Sequence, residues 1–228
     1  MSYVFDLQGI TTLPVAGMAD VFPVHRIYCV GQNYFQHARE MGINADRVSP
    51  FFFNKPADSA FSGSSQMHYP LATKNLQHEV ELVVAIGKKG KEIKESEALE
   101  YVFGYAVGLD LTRRDLQIEA KKKGLPWTTA KGFDYSAPCS AIHLVSKVGY
   151  IEKGSITLSV NNEIRQKGDI SDMIWSVKEI ISFLSRFFEL CPGDLIFTGT
   201  PEGVGQLNRG DKIEGEVENL DKLMLKII

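Results

Sequence analysis

Residues Asn75–Gly87 read NLQHEVELVVAIG. Branched and apolar residues run for the length of one buried strand and stop at a glycine, so the pattern predicts a strand here. Alternate side chains of a strand share a face. Glu79 and Glu81 therefore stand side by side, next to Leu82, Val83, Val84, Ala85 and Ile86, a run that belongs in a core. Like charges held close together repel. A strand carrying this pair needs something to offset it.

The flanking segments read outward from that strand. Upstream, RIYCVG is a strand, NYFQHAREMG a short helix closed by Gly42, and SPFFFNKP a short strand between prolines. Downstream come the helix ESEALEYV and the strand VFGYAVGLDLT, which ends near Asp110. Thr112 is placed to cap a helix RRDLQIEAKKKG, with Asp115 three residues on and lysines in the last turn. LPWTTAKGFDYSAPC reads as a loop, and SITLSVNNEIRQKG as a hairpin turning at Asn161 and Asn162. In SDMIWSVKEIISFLSRFF, Ser171 is the expected cap. Met173, Ile174, Val177, Ile180, Ile181, Leu184 and Phe188 recur there at helical spacing as a core stripe. GDLIFTGTP, GDKIEGEVENL and KLMLKII close the chain as strands. Residues 1–24, broken by Pro14, Gly17 and Pro23, read as an N-terminal arm ahead of a single domain over 25–228. Strands outnumber helices without strict βαβ alternation. That predicts an α+β class, a β-rich mixed roll or sandwich, rather than a doubly wound sheet.

Composition narrows the partners. The chain has 228 residues, 44% hydrophobic and 23% charged, with a net charge of -3, so a nucleic-acid partner is disfavoured. It contains neither an apolar run of transmembrane length nor the basic and apolar segments of a secretory signal. Cys29, Cys139 and Cys191 are far apart, without CxxC spacing, and read as buried reduced thiols. A reducing cytoplasm is the resulting expectation.

Paired glutamates on one strand face have three ordinary explanations: an exposed solvated face, an acid and nucleophile pair of the glycosidase type, and a hard-metal site whose ion removes the repulsion. Asp110, a single acid at the end of the apolar GYAVGLD, favours the third. Two glutamates and one aspartate make an oxygen-only set with coordination positions left for water and substrate. His78 points to the opposite strand face and lacks the second histidine of an HExxH zinc pattern, so it reads as a packed, hydrogen-bonded histidine. His37 and Glu40 are helical neighbours, and a carboxylate there would orient the imidazole and raise its basicity; surface pairs of this type are also common. Lys131 lies in a loop, where a lysine is ordinarily solvated. GTPEGVG offers backbone N–H donors to an anion but lacks the lysine and helix of a phosphate-binding loop.

Taken in order, RIYCVGQNYFQHAREMG, PFFFNKP, HEVELVVAIGKKG, GYAVGLDLTRRDLQ, KGLPWTTAKGFD and GDLIFTGTPEGVG resemble the motifs of the fumarylacetoacetate hydrolase family, over roughly residues 25–228. The closest likeness is to its short acylpyruvate-cleaving members, the fumarylpyruvate hydrolases and acylpyruvases. The resemblance implies a β-rich mixed roll, usually a homodimer, acting on a small 2,4-diketo acid in gentisate-type aromatic catabolism. It implies Mg²⁺ or Mn²⁺ held by Glu79, Glu81 and Asp110, and water activation by His37 with Glu40. It places Lys131 near the substrate oxyanion, Thr200 near the substrate carboxylate and Gln117 in the pocket lining. Gln32 stands where many members carry Lys or Arg. For a fumaryl substrate the second carboxylate has candidate partners in Arg113, Arg114 and Arg39, of which the first two also read as a solvated helix face. The same pocket also suits oxaloacetate decarboxylation or tautomerisation. A non-catalytic metal-binding protein is a further alternative.

Overall fold

The computed structural model describes residues 3–6, 9–36, 49–62 and 65–228. Its centre is a curled eight-stranded sheet. Seven strands run in the spatial order Phe51–Lys55, Ile27–Gly31, Leu195–Phe197, Val80–Ile86, Val102–Leu109, Ala137–Cys139 and Ala60–Ser62, and His143–Leu144 also pairs with Val102–Leu109. A five-stranded sheet, in the order Glu163–Asp169, Ser155–Val160, Lys212–Val217, Leu223–Ile227 and Ser65–Met67, covers one face. The expected α+β, β-rich class is what the chain adopts.

Every residue of Val80–Ile86 is buried, because the strand has a core on each side. Val80, Leu82, Val84 and Ile86 face the larger core, together with Tyr105, Val107, Leu158 and Ile213. Val83 and Ala85 face the smaller one, with Cys29, Ala106, Phe197 and Leu13. Period-2 alternation thus survives, but both sets of positions are apolar. Glu81 falls in the row of Val83 and Ala85, at its open end. Thr12–Pro14 and Val21–Pro23 pair as a two-stranded ribbon that caps the smaller core through Leu13 and Phe22.

The hairpin at Asn161 and Asn162 forms as expected. Both asparagines have positive φ, 53° and 68°, which suits a tight hairpin turn. Other expectations need correction. First, Asn75–Gly87 is not one strand. Leu76–His78 belongs to a three-stranded sheet with Thr112–Arg113 and Gly205–Gln206, and the chain changes sheets at Glu79. Second, Thr112 does not cap the following helix. It is tied into that small sheet opposite Gln77, its hydroxyl donates to the Asp110 carbonyl, and the helix spans Arg114–Lys123. Third, the amphipathic helix is shorter than its stripe and starts at Val177, not after Ser171. Asn33 accepts from the Trp175 N–H at 2.7 Å and donates to its carbonyl at 2.9 Å, which holds the chain extended there. Ser176 and Glu179 then form the capping box. The expected loop after Gly124 also contains a short helix, Thr128–Lys131, and the strand Ala137–Cys139. Of the cysteines, Cys29 and Cys139 are buried free thiols and Cys191 is partly exposed.

Candidate active site

Two adjacent strands leave the main sheet at the same level, and that exit builds the site. Glu79 precedes Val80–Ile86, Asp110 follows Val102–Leu109, and the Asp110 N–H donates to the Glu79 carbonyl at 2.9 Å. Glu81 stands two pairs inward, opposite Gly108. One oxygen from each of Glu79, Glu81 and Asp110 lies within 4.8 Å of the others, and all three residues are buried. At that spacing each pair of unit charges repels by about 3.5 kcal/mol for an effective dielectric near 20. A solvated strand face is therefore ruled out as the explanation of the pair.

Among the described residues, three cations answer the three carboxylates. Lys131 Nζ lies 2.6 Å from both Glu79 Oε2 and Asp110 Oδ2. It is 2% exposed, so the loop lysine is not solvated. Burial lowers its pKa, but Asp110 and Glu79 more than offset this and raise it above the usual lysine value. Lys55 Nζ lies 2.8 Å from Asp110 Oδ1 and also donates to the carbonyls of Leu111 and Lys131. The Arg114 guanidinium bonds Glu79 Oε1 and Gln117 Oε1. Glu81 accepts a 2.7 Å hydrogen bond from the Gly199 N–H. Burial, then the charges of Asp110 and Glu79, push its carboxyl well above the usual range. A hard cation placed among the three would relieve that repulsion. Three buried carboxylates without nitrogen or sulfur are the donor set that Mg²⁺ and Mn²⁺ take, so the residues fit such an ion.

The TGTP loop closes the other side. Gly199 has φ +99°, and a Cβ there would lie 2.7 Å from the Asn33 Cβ. The position thus needs glycine twice over, for its conformation and for its approach to Asn33. Thr200 is buried and accepts from Gln166 Nε2 at 2.8 Å. Gln166 is fully buried and its Oε1 receives the His78 ring nitrogen at 2.9 Å and the Val80 N–H at 3.1 Å. His78 is thus the packed, hydrogen-bonded residue expected, and burial lowers its basicity.

Glu79, Glu81, Asp110, Lys131, Gln117 and Thr200 therefore line one pocket, joined by Gln32, which holds a positive φ of 58°. Arg113 is not part of that lining. Its guanidinium stacks on Phe133 at 4.3 Å, and its neighbour Arg114 faces the pocket instead. His37, Glu40 and Arg39 lie outside the described residues. Sequence reasoning misses Lys55 and Gln166. Lys55 shares strand parity with Phe53 beside Pro56, a weak signal for an inward lysine. Gln166 sits in a hairpin strand that is otherwise largely exposed, and nothing in its sequence context marks it.

Known proteins resemble this chain in sequence and in fold. The mitochondrial oxaloacetate tautomerase of Homo sapiens is 44% identical over 201 residues, 88% of this chain and 90% of that protein. A fumarylpyruvate hydrolase of Ralstonia is 45% identical over 177 residues, 78% of this chain and 92% of that one. The crystal structure of fumarylpyruvate hydrolase from Pseudomonas aeruginosa in complex with Mn²⁺ and pyruvate superposes with a TM-score of 0.97 at 48% identity, covering 100% of this chain and 99% of that one. The family model for the fumarylacetoacetate hydrolase C-terminal region matches residues 26–228, and with these likenesses it assigns the chain to the fumarylacetoacetate hydrolase family.

Proposed function

We propose that this protein is a metal-dependent hydrolase that cleaves a carbon–carbon bond of a 2,4-diketo acid, converting fumarylpyruvate to fumarate and pyruvate. The observation that carries the reading is the convergence of Glu79, Glu81 and Asp110 in one buried pocket with Lys131, Gln117 and Thr200. Among the described residues, Lys55, Arg114 and Lys131 match the three carboxylates in charge. A divalent ion would leave that set doubly positive, which suits a chelating 2-oxo acid carrying a carboxylate and a developing enolate.

When bound, Mg²⁺ or Mn²⁺ supplies Lewis acidity and a fixed counter-charge at the pyruvyl end. The chain's residues do the rest. His37, oriented by Glu40, takes a proton from water as the water oxygen attacks C4. The C3–C4 bond breaks and its electron pair passes to the pyruvyl fragment, which leaves as an enolate. Lys131 stabilises that charge, the kind of preorganised electrostatic help that usually dominates such barriers. The proton held by His37 returns to C3. Thr200, fixed by Gln166, is the donor assigned to the pyruvyl carboxylate. Gln117, whose carbonyl oxygen is taken by Arg114, has its amide N–H₂ left for a substrate oxygen.

The same reading includes a cytoplasmic setting, supported by three unpaired cysteines. It includes a homodimer, supported by the family resemblance. No helix among the described residues is long and apolar enough to cross a membrane.

Ultraviolet loss of the enol band of fumarylpyruvate, measured with Mg²⁺ and with a chelator, tests the reaction. Metal-dependent hydrolysis that falls about 10²–10⁴-fold in His37→Ala is expected. The second reading, oxaloacetate tautomerisation, is favoured by the likeness to the human protein. Accelerated interconversion of the enol and keto forms of oxaloacetate, with both fumarylpyruvate and acetylpyruvate untouched, would replace the first reading by the second.

A further inference from the structure

The hydrolase reading, on which the role assigned to Lys121 below depends, leaves the far carboxylate of a fumaryl group without a partner. The pocket that the carboxylates line together with Phe53, Lys121 and Trp127 is tight, ≈ 30 Å³. It shares Phe53, Trp127 and Lys131 with a groove of ≈ 640 Å³, walled by Phe51, Leu125 and Trp127 among others. The acyl arm of a substrate anchored at the carboxylates leaves along that wall.

The cations near this path are mostly occupied. Arg114 is held by Glu79 and Gln117, Lys131 by Glu79 and Asp110, and Lys55 by Asp110 and two carbonyls. Arg113 is turned onto Phe133. Lys121 is different. It lines the same pocket, and its ammonium sits 5.1 Å from the centre of the Trp127 ring. Its helix neighbour Lys123 pairs with Glu119, whereas Lys121 has no carboxylate at ion-pair distance among the described residues. Burial and the charge of Arg114 lower its pKa, the signature of a half-buried ammonium short of an anion.

Helix geometry sets its reach. Arg114, Gln117 and Lys121 fall at i, i+3 and i+7, one stripe of the Arg114–Lys123 helix. Seven residues rise about 10.5 Å, and helical side chains lean back towards the N-terminus, so the ammonium hangs below the level of its own Cα. From the 2-oxo carbon to the distal carboxylate of fumarylpyruvate is five carbon–carbon bonds, an extended span of about 6 Å.

We propose that Lys121, held over Trp127, receives the distal carboxylate of the acyl group and makes this site selective for acylpyruvates that end in an acid. The flat conjugated arm lies along Trp127 and Phe53, and the ammonium closes its far end.

The test is the ratio of kcat/KM for fumarylpyruvate to that for acetylpyruvate, measured with Mg²⁺ in wild type, Lys121→Met and Lys121→Arg. Loss of a charge-assisted hydrogen bond lowers the ratio by about 10- to 100-fold in Lys121→Met, mainly through KM for fumarylpyruvate. Lys121→Arg, which keeps the charge, holds the ratio within about threefold of wild type. A poorly folded variant would lose both substrates alike, so the ratio is insensitive to folding. An unchanged ratio in Lys121→Met overturns this inference and leaves the hydrolase reading standing. Wild-type protein inert towards both diketo acids overturns the reading and this inference with it.

Discussion

Replacing Lys55 by Met isolates the electrostatics of the site from its chemistry. The side chain of Lys55 has no exposed surface, and its ammonium answers one carboxylate oxygen at 2.8 Å and two carbonyls. Methionine keeps most of the volume but strands Asp110 beside Glu79 and Glu81 with one cation fewer. Breaking a buried ion pair by removing one partner costs about 3–5 kcal/mol. For a chain of this size each kcal/mol shifts Tm by about 2–4 °C, so chelator-treated protein should melt about 6–20 °C lower. The control is Lys123→Met. Its partner Glu119 lies only 2.6 Å away, yet both side chains are about 60% exposed, and no measurable shift is expected. Thermal unfolding followed by circular dichroism reads both. A Lys55→Met protein that melts within 2 °C of wild type, a shift below about 1 kcal/mol, would refute the argument that this lysine holds the carboxylates together.

Gly199→Ala should destabilise by about 1–3 kcal/mol, because alanine is strained at φ +99° and its methyl meets Asn33; urea unfolding measures the loss, and turnover should fall with it as the N–H to Glu81 moves. Added Mn²⁺ should raise Tm with its concentration, and Glu81→Gln should weaken that response in the same melting assay. Burial raises Tyr28 and Tyr105 to about 12. Groups raised on folding stabilise fully below the unfolded value near 10 and lose that contribution as pH climbs towards 12. Stability should therefore decline between about pH 10 and 12, and in a phenolate absorbance titration these two tyrosines should ionise after the exposed ones.

Much of the scaffold is legible in the sequence because local patterns and tertiary contacts agree. The apolar run after Glu81, the Asn161–Asn162 turn and the strand-end acid at Asp110 each carry their own signal. Local reading fails where a distant side chain overrides it. Asn33 holds Trp175 extended, so the helix begins at the Ser176–Glu179 capping box, a pattern visible in SVKE. Backbone pairing with Leu76–His78 takes Thr112 away from its capping role. Pairing also divides Asn75–Gly87 at Glu79, since one sheet ends where another begins. The site obeys the same logic. The three carboxylates announce themselves as unexplained charges in apolar strands. Lys55, Gln166 and Lys121 do not, because a lysine or glutamine is ordinary on any strand or helix surface, and only the packed neighbours reveal what it faces.

The strand Leu195–Phe197 lies between Ile27–Gly31 and Val80–Ile86, more than a hundred residues after either. During synthesis, the edge of Val80–Ile86 that it pairs with stays open until six-sevenths of the chain has been made. Glu81 waits over the same interval for the N–H of Gly199. Such long-range pairing slows folding, and an unpaired apolar edge invites contact with other chains. The segment that fixes Glu81 of the carboxylate cluster is thus also the one that seals the sheet, so a finished site and escape from aggregation arrive together, late in the life of the nascent protein.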